Sequence, residues 1–139
     1  DRLNLVTNNR RFLILPQWHV PNAATRILSL CQKRLQADWL QHFHHPLLLL
    51  ETFVDPQRFH GTIYRAANWT LLGTTKGFYR ANAGGYQPND SPKLIFAYPL
   101  QRNTRQLLSQ PYLNPAYQCG TPKLMLTANQ MNALPPWLL

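Results

Sequence analysis

The sequence predicts an α/β (α+β) fold: a mixed sheet of about four strands with two covering helices and a proline-rich C-terminal appendage. Three observations carry that prediction. Residues 21 to 42 repeat apolar side chains at three- and four-residue steps, and Leu47 to Val54 is a nearly unbroken apolar run. The stretch from Asp55 to Gly77 reads as a short helix followed by a strand. With 139 residues the chain is long enough for one core and too short for two ordinary domains, so residues 1–100 read as one unit and residues 101–139 as an extension.

Taken in order, Asn8-Asn9 is a turn signal, and Arg11 to Val20 supplies a strand bent at Pro16, since a proline inside a strand forces a bulge or an edge position. Pro21-Asn22 opens the long helix. Ala24, Ile27, Leu28, Cys31, Leu35 and Trp39 form its apolar face, while Arg26, Lys33, Arg34 and Gln36 take the other. His42-Phe43-His44-His45-Pro46 ends it, because the residue before a proline is pushed out of the helical region. Phe12 to Val20 and Leu47 to Val54 then pair in parallel across that helical crossover.

Asp55 supplies an N-cap oxygen and Pro56 takes the first position of a second helix, Pro56 to Asn68, which buries Phe59, Ile63, Ala66 and Ala67. A third strand covers Thr70 to Thr75. Lys76 to Pro92 is a long polar loop, and Lys93 to Tyr98 is the last strand, stopped by Pro99. Beyond it, Asn103 to Ser109 and Thr127 to Leu134 form short helical turns among Pro111, Pro115, Pro122, Pro135 and Pro136.

Fourteen Lys and Arg against five Asp and Glu leave a formal charge of +9, a surface that attracts polyanions such as nucleic acid. Cys31 and Cys119 make neither a disulfide framework nor a zinc site, and suit a reducing interior. No apolar run is long enough to span a bilayer, so the expectation is a soluble cytoplasmic protein without a membrane partner.

Four runs carry a resemblance: Asn8-Asn9-Arg10-Arg11-Phe12-Leu13-Ile14-Leu15-Pro16, Leu49-Leu50-Glu51-Thr52-Phe53-Val54-Asp55, Arg58-Phe59-His60-Gly61 through Asn68-Trp69, and Leu72-Gly73. In this order they resemble the DruA family of the Druantia anti-phage system. That family is also found beside transposase-like segments, and the resemblance covers roughly residues 4 to 100. It implies a component of a defence or mobile-element system that contacts nucleic acid.

The order of elements is also similar to the C-terminal half of GCN5-related N-acetyltransferases. This second resemblance implies an acyl-CoA-dependent N-acyltransferase using acetyl-CoA, with the pyrophosphate at Val20, Asn22, Ala24 and Arg26 and with Tyr64 as general acid. Asn22-Ala23-Ala24-Thr25 lacks the glycines that let backbone N–H groups approach a pyrophosphate closely, although the positive helix end and Arg26 remain. The first half of such a fold has no counterpart upstream, which implies a partner chain, a further segment or a homo-oligomer.

Read from the residues alone, Tyr64 is either a proton donor or an aromatic packing its helix onto the sheet. Glu51, inside an apolar strand, is either a base of raised pKa or a partner for Arg65. His42, His44 and His45 lack carboxylate or thiol company, so no metal site is expected. The run Lys76-Gly77-Phe78-Tyr79-Arg80 combines cations for phosphates with rings for bases, and Lys76, Tyr79 and Arg80 join Lys33 and Arg34 as expected nucleic-acid contacts.

Overall fold

The computed structural model describes residues 2–80, 84–88 and 90–118. Its strands are β1 (Val6–Asn8), β2 (Leu49–Val54), β3 (Thr70–Thr74), β4 (Phe78–Arg80), β5 (Tyr86–Pro88) and β6 (Leu94–Pro99). Its α-helices are α1 (Ala23–Phe43), α2 (Thr62–Ala66) and α3 (Thr104–Ser109). Four strands make a mixed sheet in the order β1-β2-β6-β3, with β1 parallel to β2 and β6 antiparallel to both its neighbours. The predicted class is the observed one. β4 and β5 pair with each other inside the stretch expected to be loop, where Phe78, Tyr79 and Tyr86 supply the aromatic residues that strands favour.

The parallel partner of β2 is not the Arg11–Val20 segment but Val6–Asn8, in the register Val6 to Leu49 and Asn8 to Glu51. The chain leaves the sheet early for a local reason. Asn9 N–H still donates to the Glu51 carbonyl at 2.8 Å, but the Asn9 carbonyl takes its hydrogen bond from the Thr52 hydroxyl at 2.9 Å, so no further ladder bond is needed. Pro16, lacking an N–H, opens a 3-10 turn over Pro16–Trp18.

α1 follows the expected span, but its buried face is rotated. Leu28 and Gln32 are buried and Leu35 and Trp39 pack against the core, whereas Cys31 is exposed and Ile27 is 46% exposed. Two glutamines explain the rotation. Gln32 Oε1 accepts from the Trp69 indole N–H at 2.9 Å. Gln36 exchanges bonds of 2.8 and 2.9 Å with the Leu47 carbonyl and N–H, clipping the helix to the start of β2. Polar side chains that satisfy buried groups therefore sit on the packed face.

The helix expected over Pro56–Asn68 is divided. The Asp55 carbonyl accepts from Arg58 and Phe59 N–H at 3.1 and 2.9 Å and its Oδ1 accepts from Gln57 N–H at 3.0 Å, a closed turn that does not propagate. Gly61 then adopts φ +70°, with the Phe96 ring so close that a Cβ would lie 2.6 Å from it. From there α2 runs only to Ala66, and Asn68 at φ 66° closes it in the left-handed conformation.

Between the sheet and these two helices lies the main core, with Phe96 fully buried, its ring stacked on Tyr64 at 5.8 Å, and Trp69 edge-on to Tyr64 at 5.1 Å. A second cluster joins Leu5, Leu48 and Leu107, and the Thr104 hydroxyl donates to the Leu48 carbonyl at 3.0 Å. The extension is thus tied to the sheet at α3. Cys119 and the Thr127–Leu134 segment lie outside the described residues.

Candidate functional site

Both strands of the parallel pair point their C-terminal ends the same way, and ligands of α/β sheets bind in the crevice beyond such ends. A cleft of about 590 Å³ opens there. One wall is the segment after β1, including Arg10, Phe12 and Ile14; the other is the segment after β2, including Asp55, Arg58, Phe59 and His60. Thr52, Gly61 and Tyr64 line it as well, with His19 and Ala24 from the approach to α1 and Lys93 from the approach to β6. These are the stretches where the expected strand does not form and the expected helix is cut short. Each leaves regular structure because its backbone is satisfied locally, and the released chain makes a wall.

Cations dominate the cleft. Arg10, Arg58 and Lys93 are exposed and have no carboxylate within ion-pair distance among the described residues, while Asp55 is the one carboxylate in the lining. Low-dielectric walls concentrate such a field on an incoming anion. Apolar surface lies beside the charge: Phe59 is 55% exposed, with the Arg58 guanidinium 5.6 Å from its ring centroid, and Phe53 is also exposed.

Tyr64 lies on this lining, and its hydroxyl accepts from Asn9 Nδ2 at 3.2 Å and lies 3.4 Å from Thr52 Oγ1. Because the single Thr52 proton goes to the Asn9 carbonyl, the phenolic proton is the one available between the two hydroxyls. The phenol therefore ties the segment after β1, β2 and α2 together from a buried position. Glu51 neighbours Thr52 on β2, and successive strand residues face opposite sides of a sheet. Its Oε1 accepts from Asn8 Nδ2 at 3.1 Å, so the structure does not bring Glu51 and Tyr64 together. Arg65, weighed as a partner for Glu51, places its guanidinium 5.2 Å over the Phe96 ring.

Of the residues expected at a pyrophosphate, Ala24 lines the cleft, whereas Val20 is 61% exposed, Arg26 is exposed and Asn22 is the left-handed N-cap of α1, φ 61°, with no side-chain cap. Lys33 and Arg34 lie on the exposed side of α1. Arg34 is paired with Asp38 at 2.9 Å; the hydrogen bond raises the Arg34 pKa and holds the Asp38 carboxyl below its usual range. Lys76 stands two residues before β4, and β4 carries Tyr79 and Arg80.

Arg10, Arg58, His60 and Lys93 are site residues that the reading by element left out. Two signals in the sequence stand beside the first three. Asn8-Asn9 marks a turn directly before Arg10, and Gly61 is a breaker inside the expected helix.

Among the described residues, no three His, Cys, Asp or Glu are placed to hold a metal ion, and no helix is long and apolar enough to cross a membrane. A protein-family model described as Druantia protein DruA matches residues 1–87, a span that holds every cleft residue named above except Lys93. No curated protein matches the chain.

Proposed function

The chain belongs to the DruA family, which makes it a Druantia-type defence component, and on that premise we propose that its role is to hold nucleic acid in the basic cleft. The observation that carries this reading is the gathering of Arg10, Arg58 and Lys93 around one cleft with, among the described residues, a single carboxylate, Asp55. Phosphates are bound by such unpaired cations, with release of counterions, and the net charge of +9 favours encounter with any polyanion. Lys33, Lys76, Tyr79 and Arg80 offer the same chemistry elsewhere in the sequence. The test is an anisotropy titration of labelled DNA and RNA at several salt concentrations. Binding should be sequence-tolerant and weaken steeply as salt rises; no binding to either at low salt would overturn the reading.

A second reading, N-acyl transfer from acetyl-CoA, is favoured by one observation: Ala24, at the N-terminal end of α1, lines the same cleft as Tyr64. Calorimetry with acetyl-CoA separates the two, since heat at micromolar affinity supports the transferase. As for partners, β1 is an edge strand of the sheet, and an unpaired edge accepts a further strand. We therefore expect association with a second copy or a partner segment, read by light scattering at micromolar concentration; a lone monomer would contradict it.

A further inference from the structure

Resting on the nucleic-acid reading of the cleft, we infer that what enters it is one unpaired nucleotide, not the backbone of an intact duplex. Size is the first argument. About 590 Å³ is the scale of a small-ligand cleft. A duplex lies across a protein and covers roughly 1,000 Å² or more of its surface when bound specifically. The second argument is chemical composition. A duplex backbone offers phosphates and sugars, and exposed lysines and arginines suffice for it. This cleft sets cations beside aromatic surface, with Arg58 over the Phe59 ring at 5.6 Å and Phe59 itself 55% exposed.

An unpaired nucleotide presents what matches both: an anionic phosphate and a flat base with free faces. The third argument is polar. Asp55 Oδ1 accepts from the Gln57 N–H, and the acceptor capacity left on this carboxylate, the one carboxylate among the described lining residues, can take a base amino group. An isolated acceptor beside three cations opposes a phosphate and suits a base edge. Phosphate near Arg10 and Lys93, with the base against Phe59 and Asp55, uses each group for the charge it can take. Reaching a paired base would require its extrusion from the stack, so an already unpaired position is the favoured partner.

The experiment compares the full chain's affinity for a blunt labelled duplex with that for the same duplex carrying one bulged nucleotide, in the parent and in Phe59→Ala. Phe59 is exposed, so the substitution leaves the core intact. The bulged duplex should bind roughly five- to hundredfold more tightly, the range of one base stack, and Phe59→Ala should erase that advantage so that the two duplexes bind alike. A 2-aminopurine at the bulge should be quenched on binding the parent and not on binding the variant. Equal affinity for the two duplexes, with salt-dependent binding intact, would overturn the inference and leave the basic-cleft reading standing. So would an advantage that survives Phe59→Ala with quenching unchanged. No binding to either duplex would overturn both.

Discussion

Gly61→Ala should destabilise the protein more than its size suggests. Gly61 sits at φ +70°, where a side chain costs about 1–2 kcal/mol. The added Cβ would also meet Phe96 Cε2 and Cζ at 2.6 Å. That ring is fully buried, stacked on Tyr64 and covered by the Arg65 guanidinium, so it has little room to yield, and overpacking of this kind costs about 1–3 kcal/mol. A stiffer unfolded chain returns less than about 1 kcal/mol. The net loss is about 2–4 kcal/mol, a large share of the roughly 5–15 kcal/mol that holds a domain folded. Urea denaturation should show it as a lower midpoint with an unchanged slope. Gly85→Ala, where a Cβ meets nothing within 4 Å, is the control and should stay within about 0.5 kcal/mol. Pairing Gly61→Ala with Phe96→Leu should cost less than the two alone, because the smaller side chain relieves the clash. A loss below about 1 kcal/mol for Gly61→Ala, or strict additivity in the double variant, would refute the reasoning.

Gln32→Leu strands the buried Trp69 indole N–H and should cost about 1–3 kcal/mol, with a changed tryptophan emission as the structural readout. Tyr64→Phe removes the hydroxyl shared by Asn9 and Thr52 and should cost about 1 kcal/mol in chemical denaturation, since the ring packing is kept. The Asp38 carboxyl is held low by Arg34, so the pair's contribution exists above the unfolded carboxylate range and is lost as pH falls through the lowered folded value. Both side chains are exposed, and Asp38→Asn should leave thermal midpoints at neutral pH and high salt within experimental scatter.

Element type was readable wherever a pattern ran long. The 3.6-residue period located α1 and the apolar run located β2, because each is long enough for packing to impose its period on composition. What composition could not express was local satisfaction of the backbone. Phe12-Leu13-Ile14-Leu15 has the makeup of a strand, yet Thr52 takes the carbonyl of Asn9 and ends the ladder first. Asp55-Pro56 has the makeup of a helix start, yet Gly61 packs on Phe96 and resets the chain. These long-range contacts, one between residues 43 positions apart, leave no trace in a sequence window. The cleft stands where they act, so Arg10 and Arg58 went unread as site residues while Tyr64 and Ala24, placed by family likeness, reached the lining.

On the proposed function, cations of the cleft, rather than net charge spread over the surface, bind phosphate. The most direct test is the salt dependence of binding to the duplex with one bulged nucleotide by the double variant Arg10→Ala and Arg58→Ala, beside the parent and a Lys76→Ala and Arg80→Ala double variant. If both cleft arginines neutralise phosphates, the slope of log affinity against log salt should flatten by about two units, with weaker binding at every salt concentration. An unchanged slope and affinity in the cleft variant, with binding otherwise intact, would contradict the account and move the contact surface elsewhere.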